Sequence, residues 1–183
     1  MTRARPLDSA PPADTVPGQA LQYPDALIHE ILSSVDTIAM VGASKTWRRP
    51  SYYAMSYLQN KGYRVIPINP SCAGEEILGE RVHASLDECP GPIDMVDVFR
   101  AAEAVPAIAR EAVANRERLG IRVFWMQLGV ISPEAAEIAE SAGFTVIMDR
   151  CPKIEFGRLS GELSWGGVNS GVLTAKRLKP IRK

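Results

Sequence analysis

The order of apolar and amphipathic segments predicts one doubly wound α/β domain built on a mainly five-stranded parallel sheet. Three observations carry that reading. Short apolar runs alternate with amphipathic stretches through the middle of the chain, as in parallel sheets covered by helices on both faces. Those runs are near-continuous and of strand length rather than alternating with polar residues, so both faces of each strand are to be buried. Glycine or a capping residue stands where the amphipathic stretches end or begin, which is where helices stop and start.

The elements follow in order. Residues 1–24 begin MTRARPLDSAPPADTVPG, rich in Pro, Ala and Asp, and read as a disordered arm. Their arginines lead into no apolar stretch, so they are read as neither secretory signal nor transit peptide. Asp25 to Val35 places Leu27, Ile28, Ile31 and Leu32 on one helical face. Ile38 to Val41 is the first strand. Tyr52 to Lys61 is a helix closed by Gly62. Arg64 to Ile68 is the second strand and Asp94 to Phe99 the third. Between them, the glycine-rich stretch Gly74 to Cys89 predicts only a short helix near Leu86. Val105, Ile108, Ala109, Ala112 and Val113 then form a single apolar stripe, and Val123 to Met126 is the fourth strand. Ser132-Pro133-Glu134 opens a further helix with a capping serine, a proline in the first turn and an acid near the positive helix end. Gly143 closes that helix, and Phe144 to Met148 is the fifth strand. The result is a Rossmann-like domain over residues 25–151. Residues 152–183 read as an irregular tail with a basic end, in which Trp165, Gly166 and Gly167 are candidates for packing on a second copy or a protein partner.

Composition narrows the function classes. The chain has 183 residues, with 21 basic and 21 acidic side chains. No global field recruits nucleic acid or an anionic membrane, so a cationic site must be a local cluster. No apolar run is long enough for a membrane span. Three cysteines without a CxxC pair suit a reducing cytoplasm better than a disulfide framework. His29 and His83 have no partners at zinc-ligand spacing, so no metal site is expected.

In open parallel sheets, ligands bind beyond the carboxyl ends of the strands, where strand order reverses. The strand ends here deliver Gly42-Ala43-Ser44-Lys45, Asn69-Pro70-Ser71, Phe99-Arg100, Gln127-Leu128-Gly129 and Asp149-Arg150-Cys151. Gly42 permits a tight turn and close backbone approach to an anion. Ser44 can add a hydroxyl, and Lys45, Arg48 and Arg49 can neutralise phosphates. NAD enzymes place Asp or Glu at the end of the second strand to hold the ribose diol; this chain has Asn69-Pro70, which disfavours NAD and leaves NADP open. No Walker lysine motif is present. Asp94 and Asp97 read as too isolated for acid–base work, Tyr52 and Tyr53 as core packing, and Cys151, which has no histidine base, as a buried inert thiol.

Taken in order, VGAS, RPS, YLQNKGYRVIPINP, ILGERVHASLDE, DMVDVFR, VFWMQLGV and VIMDRC resemble a family of small CoA-binding proteins. That family looks like a free-standing counterpart of the CoA-binding domain in the succinyl-CoA synthetase alpha subunit, and the resemblance runs from about Asp36 to Cys151. It implies CoA, which carries a diphosphate and a ribose 3′-phosphate, as the ligand. Carried over, Gly42, Ala43, Ser44 and Lys45 approach the phosphates, with Pro50 and Ser51 at the following helix. Asn69, Pro70 and Phe99 border the adenosine, and Lys45, Arg48, Arg49 or Arg100 take the remaining charge. Gln127 completes the set. The synthetase's phosphorylated histidine belongs to a separate domain, and nothing here replaces it. The expectation is a non-catalytic carrier, sensor or regulatory module for CoA or acyl-CoA. The alternative is an NADP-dependent oxidoreductase or an acyl-transfer enzyme using Cys151.

Overall fold

A computed structural model of the protein describes residues 21–161. In chain order these form α1 (Asp25–Ser34), β1 (Thr37–Val41), α2 (Pro50–Asn60), β2 (Arg64–Ile68), a hairpin of β3 (Glu76–Ile77) and β4 (Glu80–Arg81), and β5 (Met95–Val98). Then come α3 (Val105–Ala114), α4 (Arg116–Leu119), β6 (Val123–Met126), α5 (Pro133–Ser141), β7 (Thr145–Ile147) and α6 (Pro152–Leu159). The main sheet has the order β2-β1-β5-β6-β7 and every pair in it is parallel. The expected five strands are all present. Among the described residues no helix is long and apolar enough to cross a membrane.

Alternation along each strand divides the core in two. Ala39, Ile66, Val96, Phe124 and Val146 face the layer that contains α3 and α5. Ile38, Met40, Val65, Met95 and Trp125 face the opposite layer, built from α1, α2 and α6. Because both faces are covered, consecutive strand residues are apolar, and the strands could be read from that pattern. The helix signals hold as well: Ser132 Oγ accepts from the Ala135 amide at the start of α5.

Three local features differ from the sequence expectation. First, the crossover after β2 is not merely weakly helical. It contains the β3–β4 hairpin, turned by Leu78 and Gly79 at φ 49° and 82°, before the short helical turn at Leu86–Glu88. Two left-handed residues match the tight hairpin turn, but leucine in the first of them hides the signal. The segment runs beside the otherwise open edge of β2, bridging Ile68 to His83. Second, residues 21–24, assigned to the disordered arm, reach the far end of the sheet. Tyr23 Oη accepts from the Met148 amide at 2.9 Å, and Arg150 donates to the Leu21 carbonyl.

Third, residues 152–159 are not irregular but form α6. Phe156 meets the edges of Tyr57 and Tyr63, each at 6.1 Å between centroids, and Arg158 pairs with Asp25 of α1 and with Glu155. A proline at the first helical position and an acid one turn in repeat the signal that marked α5. Trp165, Gly166 and Gly167 lie outside the described residues. Because α6 supplies core, Phe156→Ala should destabilise the fold by about 3 kcal/mol in urea unfolding; an irregular tail would show almost no change.

Candidate functional site

The strand order reverses between β1 and β5: the chain moves from β1 outward to β2, then returns to the other side of β1. The loops leaving β1 and β5 therefore diverge, opening a crevice at their carboxyl ends. Two hydrogen bonds set its floor. The Gly42 amide donates to the Ile68 carbonyl at 2.9 Å and the Phe99 amide to the Val41 carbonyl at 2.8 Å. Gly42 has φ 90°, and a Cβ there would lie 2.5 Å from the Phe99 carbonyl oxygen and 2.9 Å from Arg100 Cδ. Both the backbone conformation and the close approach require glycine.

A cleft of about 930 Å³ occupies this position. From the β1 loop and the start of α2 it is lined by Gly42, Ser44, Arg48, Arg49, Pro50 and Ser51. Asn69, Phe99, Arg100 and Gln127 line it from the other strand ends. Ten of the thirteen candidate binding residues are thus brought together. Pro50 and Ser51 belong to α2, which starts two residues before the expected Tyr52 because proline suits the first helical position.

Three candidates stand elsewhere. Ala43 is fully buried, and its carbonyl accepts from Asn69 Nδ2 at 2.8 Å. Pro70 opens a short 3-10 turn outside the lining. Lys45 turns away and pairs with Glu75 at 2.7 Å, with both side chains exposed; Glu75, the first acid after the second strand, thus draws this cation off. Asn69 lines the cleft, but its side chain is engaged in the wall: Oδ1 accepts from the Ser71 amide at 3.0 Å while Nδ2 holds the β1 loop. Ser44 Oγ accepts from the Thr46 amide, which leaves its hydroxyl proton available to an anion.

The cleft also takes in residues not selected from the sequence. Leu128 and Val130 follow β6, on a loop tied back by the Gly129 amide donating to Asp149 Oδ1 at 2.7 Å. Lys153 and Ile154 come from α6, and their sequence signal is the helix start Cys-Pro-Lys-Ile-Glu, with proline at the first helical position and an acid in the first turn. Tyr53 lines the cleft while Tyr52 packs on the core, so the core reading holds for Tyr52 alone.

Electrostatically the lining is one-sided. Arg48, Arg49, Arg100 and Lys153 contribute to it and no carboxylate does. Arg48 lies 5.0 Å from the ring centroid of the exposed Trp47, a cation–π contact that leaves its N–H donors free to turn to an anion. Cys151 lines the cleft too, but burial pushes its thiol above the ordinary range, only partly offset by the amides of Ile154 and Lys153. Asp94 is structural: its carboxylate accepts from the Asp36 and Thr37 amides and pairs with Arg122. Asp97 is neither isolated nor exposed. It is fully buried, Gln127 Nε2 donates to both of its oxygens at 2.8 and 3.1 Å, and burial raises it to about 7. Among the described residues no group of His, Cys, Asp and Glu is arranged to hold a metal ion.

Two outcomes test this geometry. Gly42→Ala should cost about 2 kcal/mol or more in urea unfolding, from the left-handed backbone and the collision with Phe99. The second concerns pH. With Asp97 at about 7 in the folded protein and about 4 unfolded, the native state holds a proton that the unfolded chain has released between those values. Its contribution is therefore fully present at the acid end and lost as pH rises toward about 7. Urea midpoints measured across that window should fall more steeply for the wild type than for Asp97→Asn.

The comparisons with known proteins agree with this architecture. The profile of the CoA binding domain matches residues 36–157, so it takes in β1 and most of α6. The chain is 40% identical over 129 residues to the uncharacterized protein YneT of Bacillus subtilis (strain 168), covering 70% of this chain and 91% of that one. Among solved structures it is similar to a Thermus thermophilus protein at 39% identity and TM-score 0.69, with 74% of this chain and 98% of that one covered. It is also similar to a hypothetical protein from Pyrococcus horikoshii OT3 at 32% identity and TM-score 0.68, covering 87% and 99%. A profile match over well more than half the chain, on the strands and loops that build the cleft, makes this protein a member of the CoA-binding domain family.

Proposed function

We propose that the cleft binds CoA or a CoA thioester and that the protein serves as a non-catalytic carrier, sensor or regulatory module in the cytoplasm. The observation that carries this reading is a lining with four cations and no carboxylate, gathered at a one-glycine turn. CoA brings a diphosphate and a 3′-phosphate, which call for several charge-assisted contacts. The uncharged Asn69, engaged with the loop, offers no acid to a free ribose diol, which weighs against NAD. The volume lies at the upper end for small-molecule sites, as a ligand of this length needs. Tyr53, Leu128, Val130 and Ile154 add apolar wall for a pantetheine arm.

Absence of catalysis is supported by the chemistry of the lining. Cys151, the nucleophile of the acyl-transfer reading, has a thiol pushed up by burial, and no histidine lines the cleft to deprotonate it. Free Cys72, Cys89 and Cys151 suit a reducing compartment.

Calorimetry with purified protein tests the ligand. CoA should bind more tightly than dephospho-CoA, and both more tightly than NAD; equal affinity for CoA and dephospho-CoA would remove the 3′-phosphate argument. Alanine at Arg48, Arg49 or Arg100 should weaken CoA by about 1.5–3 kcal/mol at one or more positions. Lys45→Ala should leave the affinity nearly unchanged, because its exposed pair with Glu75 lies off the cleft. Thioester turnover abolished by Cys151→Ser would replace the module with an acyl-transfer enzyme.

A further inference from the structure

Asp97 lies in the central strand β5, in register between Met40 of β1 and Trp125 of β6, neither of which can solvate a charge. Its carboxylate takes both hydrogen bonds from Gln127 Nε2. An ionised carboxylate has only acceptors, so it can face the NH2 end of a glutamine and never the carbonyl end. The amide of Gln127 is thereby given one orientation. Gln127 lines the cleft and keeps 5% of its surface exposed. No described residue donates to its Oε1, yet among the described residues no buried side-chain nitrogen or oxygen lacks a partner. Oε1 is therefore the part of the side chain that opens onto the cleft.

We infer that Asp97 is a positioning residue that holds Gln127 with its carbonyl oxygen toward the cleft, so that this point of the floor selects a ligand group that donates a hydrogen bond. The inference rests on the CoA reading of the same cleft and deepens it: CoA can meet Oε1 with an amide N–H of its pantetheine arm or with the adenine amino group. Protonation reverses the arrangement. A neutral Asp97 carries an O–H that can donate to Oε1, which turns the glutamine NH2 toward the cleft and replaces an acceptor by a donor. Donor ligands accordingly prefer the ionised state, and their affinity falls as pH drops through the range in which Asp97 titrates, near 7. Of the groups facing Asp97, Met40 and Trp125 carry no charge. Ser51 and Ala54 of α2 line the cleft without titrating here. Arg48, Arg49, Arg100 and Lys153 are the charged side chains on the cleft. Burial raises the Cys151 thiol, and the charge of Asp97 raises it further.

The test uses the full chain and two readouts between about pH 5 and about pH 9. In the free protein, the Gln127 side-chain amide signals in 1H–15N spectra should titrate with a midpoint near neutrality, and Asp97→Asn should abolish that titration. In calorimetry, dephospho-CoA is the probe because it has no phosphate monoester titrating near pH 6, as CoA does (~6). Its affinity should be roughly tenfold higher at the alkaline end than at the acid end, the worth of one good hydrogen bond. The Asp97→Asn profile should be flat. The same pH dependence with ADP-ribose, whose diphosphate likewise ends in no phosphate monoester, assigns the donor to the adenosine half, and its absence with ADP-ribose assigns it to the pantetheine arm; either upholds the orientation. Flat wild-type binding, an unchanged profile in Asp97→Asn, or Gln127 signals that do not titrate would overturn the inference. If Asp97→Asn fails to fold, the wild-type titration and Gln127→Met, which should bind weakly without pH dependence, decide it. Failure of both CoA and dephospho-CoA to bind at any pH would instead sink the CoA reading and the ligand half of this inference with it, while the Gln127 titration still reports on the lock.

Discussion

Between Gly42 and the carbonyl of Phe99 there is no space for a side chain, and the cleft exists because the two chains can come that close. β1 and β5 are adjacent in the sheet although α2, β2 and the β3–β4 hairpin separate them in sequence. Where they end, one loop turns toward α2 and the other toward α3. The Gly42 turn lets the first of these leave the sheet without pushing Phe99 aside, and Arg100 lines the same cleft as Arg48 and Arg49. The Asn69 side chain then ties the same loop to the end of β2 through Ala43. Backbone geometry, rather than any charged residue, arranges this end of the cleft.

A chain with equal numbers of acidic and basic residues nonetheless presents a cleft without a carboxylate. The acids close to it in sequence are occupied elsewhere. Glu75 pairs with Lys45, Glu155 with Arg158, and Asp149 holds the Gly129 amide. Each pairing costs the cleft little, because the guanidiniums of the β1 loop and of Arg100 have no described carboxylate beside them. A local cluster of cations thus coexists with zero net charge.

The floor follows a different logic. In a sheet whose faces are otherwise almost wholly apolar, Asp97 is a buried carboxyl that the fold retains at a cost in desolvation. Its partner is a side chain facing the cleft. Stability alone would be better served by an apolar residue. A buried polar pair at a strand end beside a ligand-sized cleft belongs to recognition, where the direction of one amide matters more than the packing of one side chain.

Sequence alone determined the doubly wound architecture, because parallel strands buried on both faces must be continuously apolar and their helices must be striped. It also located the β1 loop, since a ligand-facing turn needs glycine at Gly42 and the arginines follow within a few residues. It did not reveal which cations face the cleft. Lys45, Arg48 and Arg49 look alike in a string, and only the meeting of Lys45 with Glu75, thirty residues later, takes one of them away. Nor did it reveal Lys153 and Ile154, because α6 is short and its place beside the cleft is set by Phe156 packing on Tyr57 and Tyr63, contacts far apart along the chain. Asp97 looked isolated because its neighbours in sequence are apolar; its partner Gln127 arrives from the adjacent strand. Local pattern fixes period and turn, whereas pairing across strands and helices depends on distances that exist only once the chain has folded.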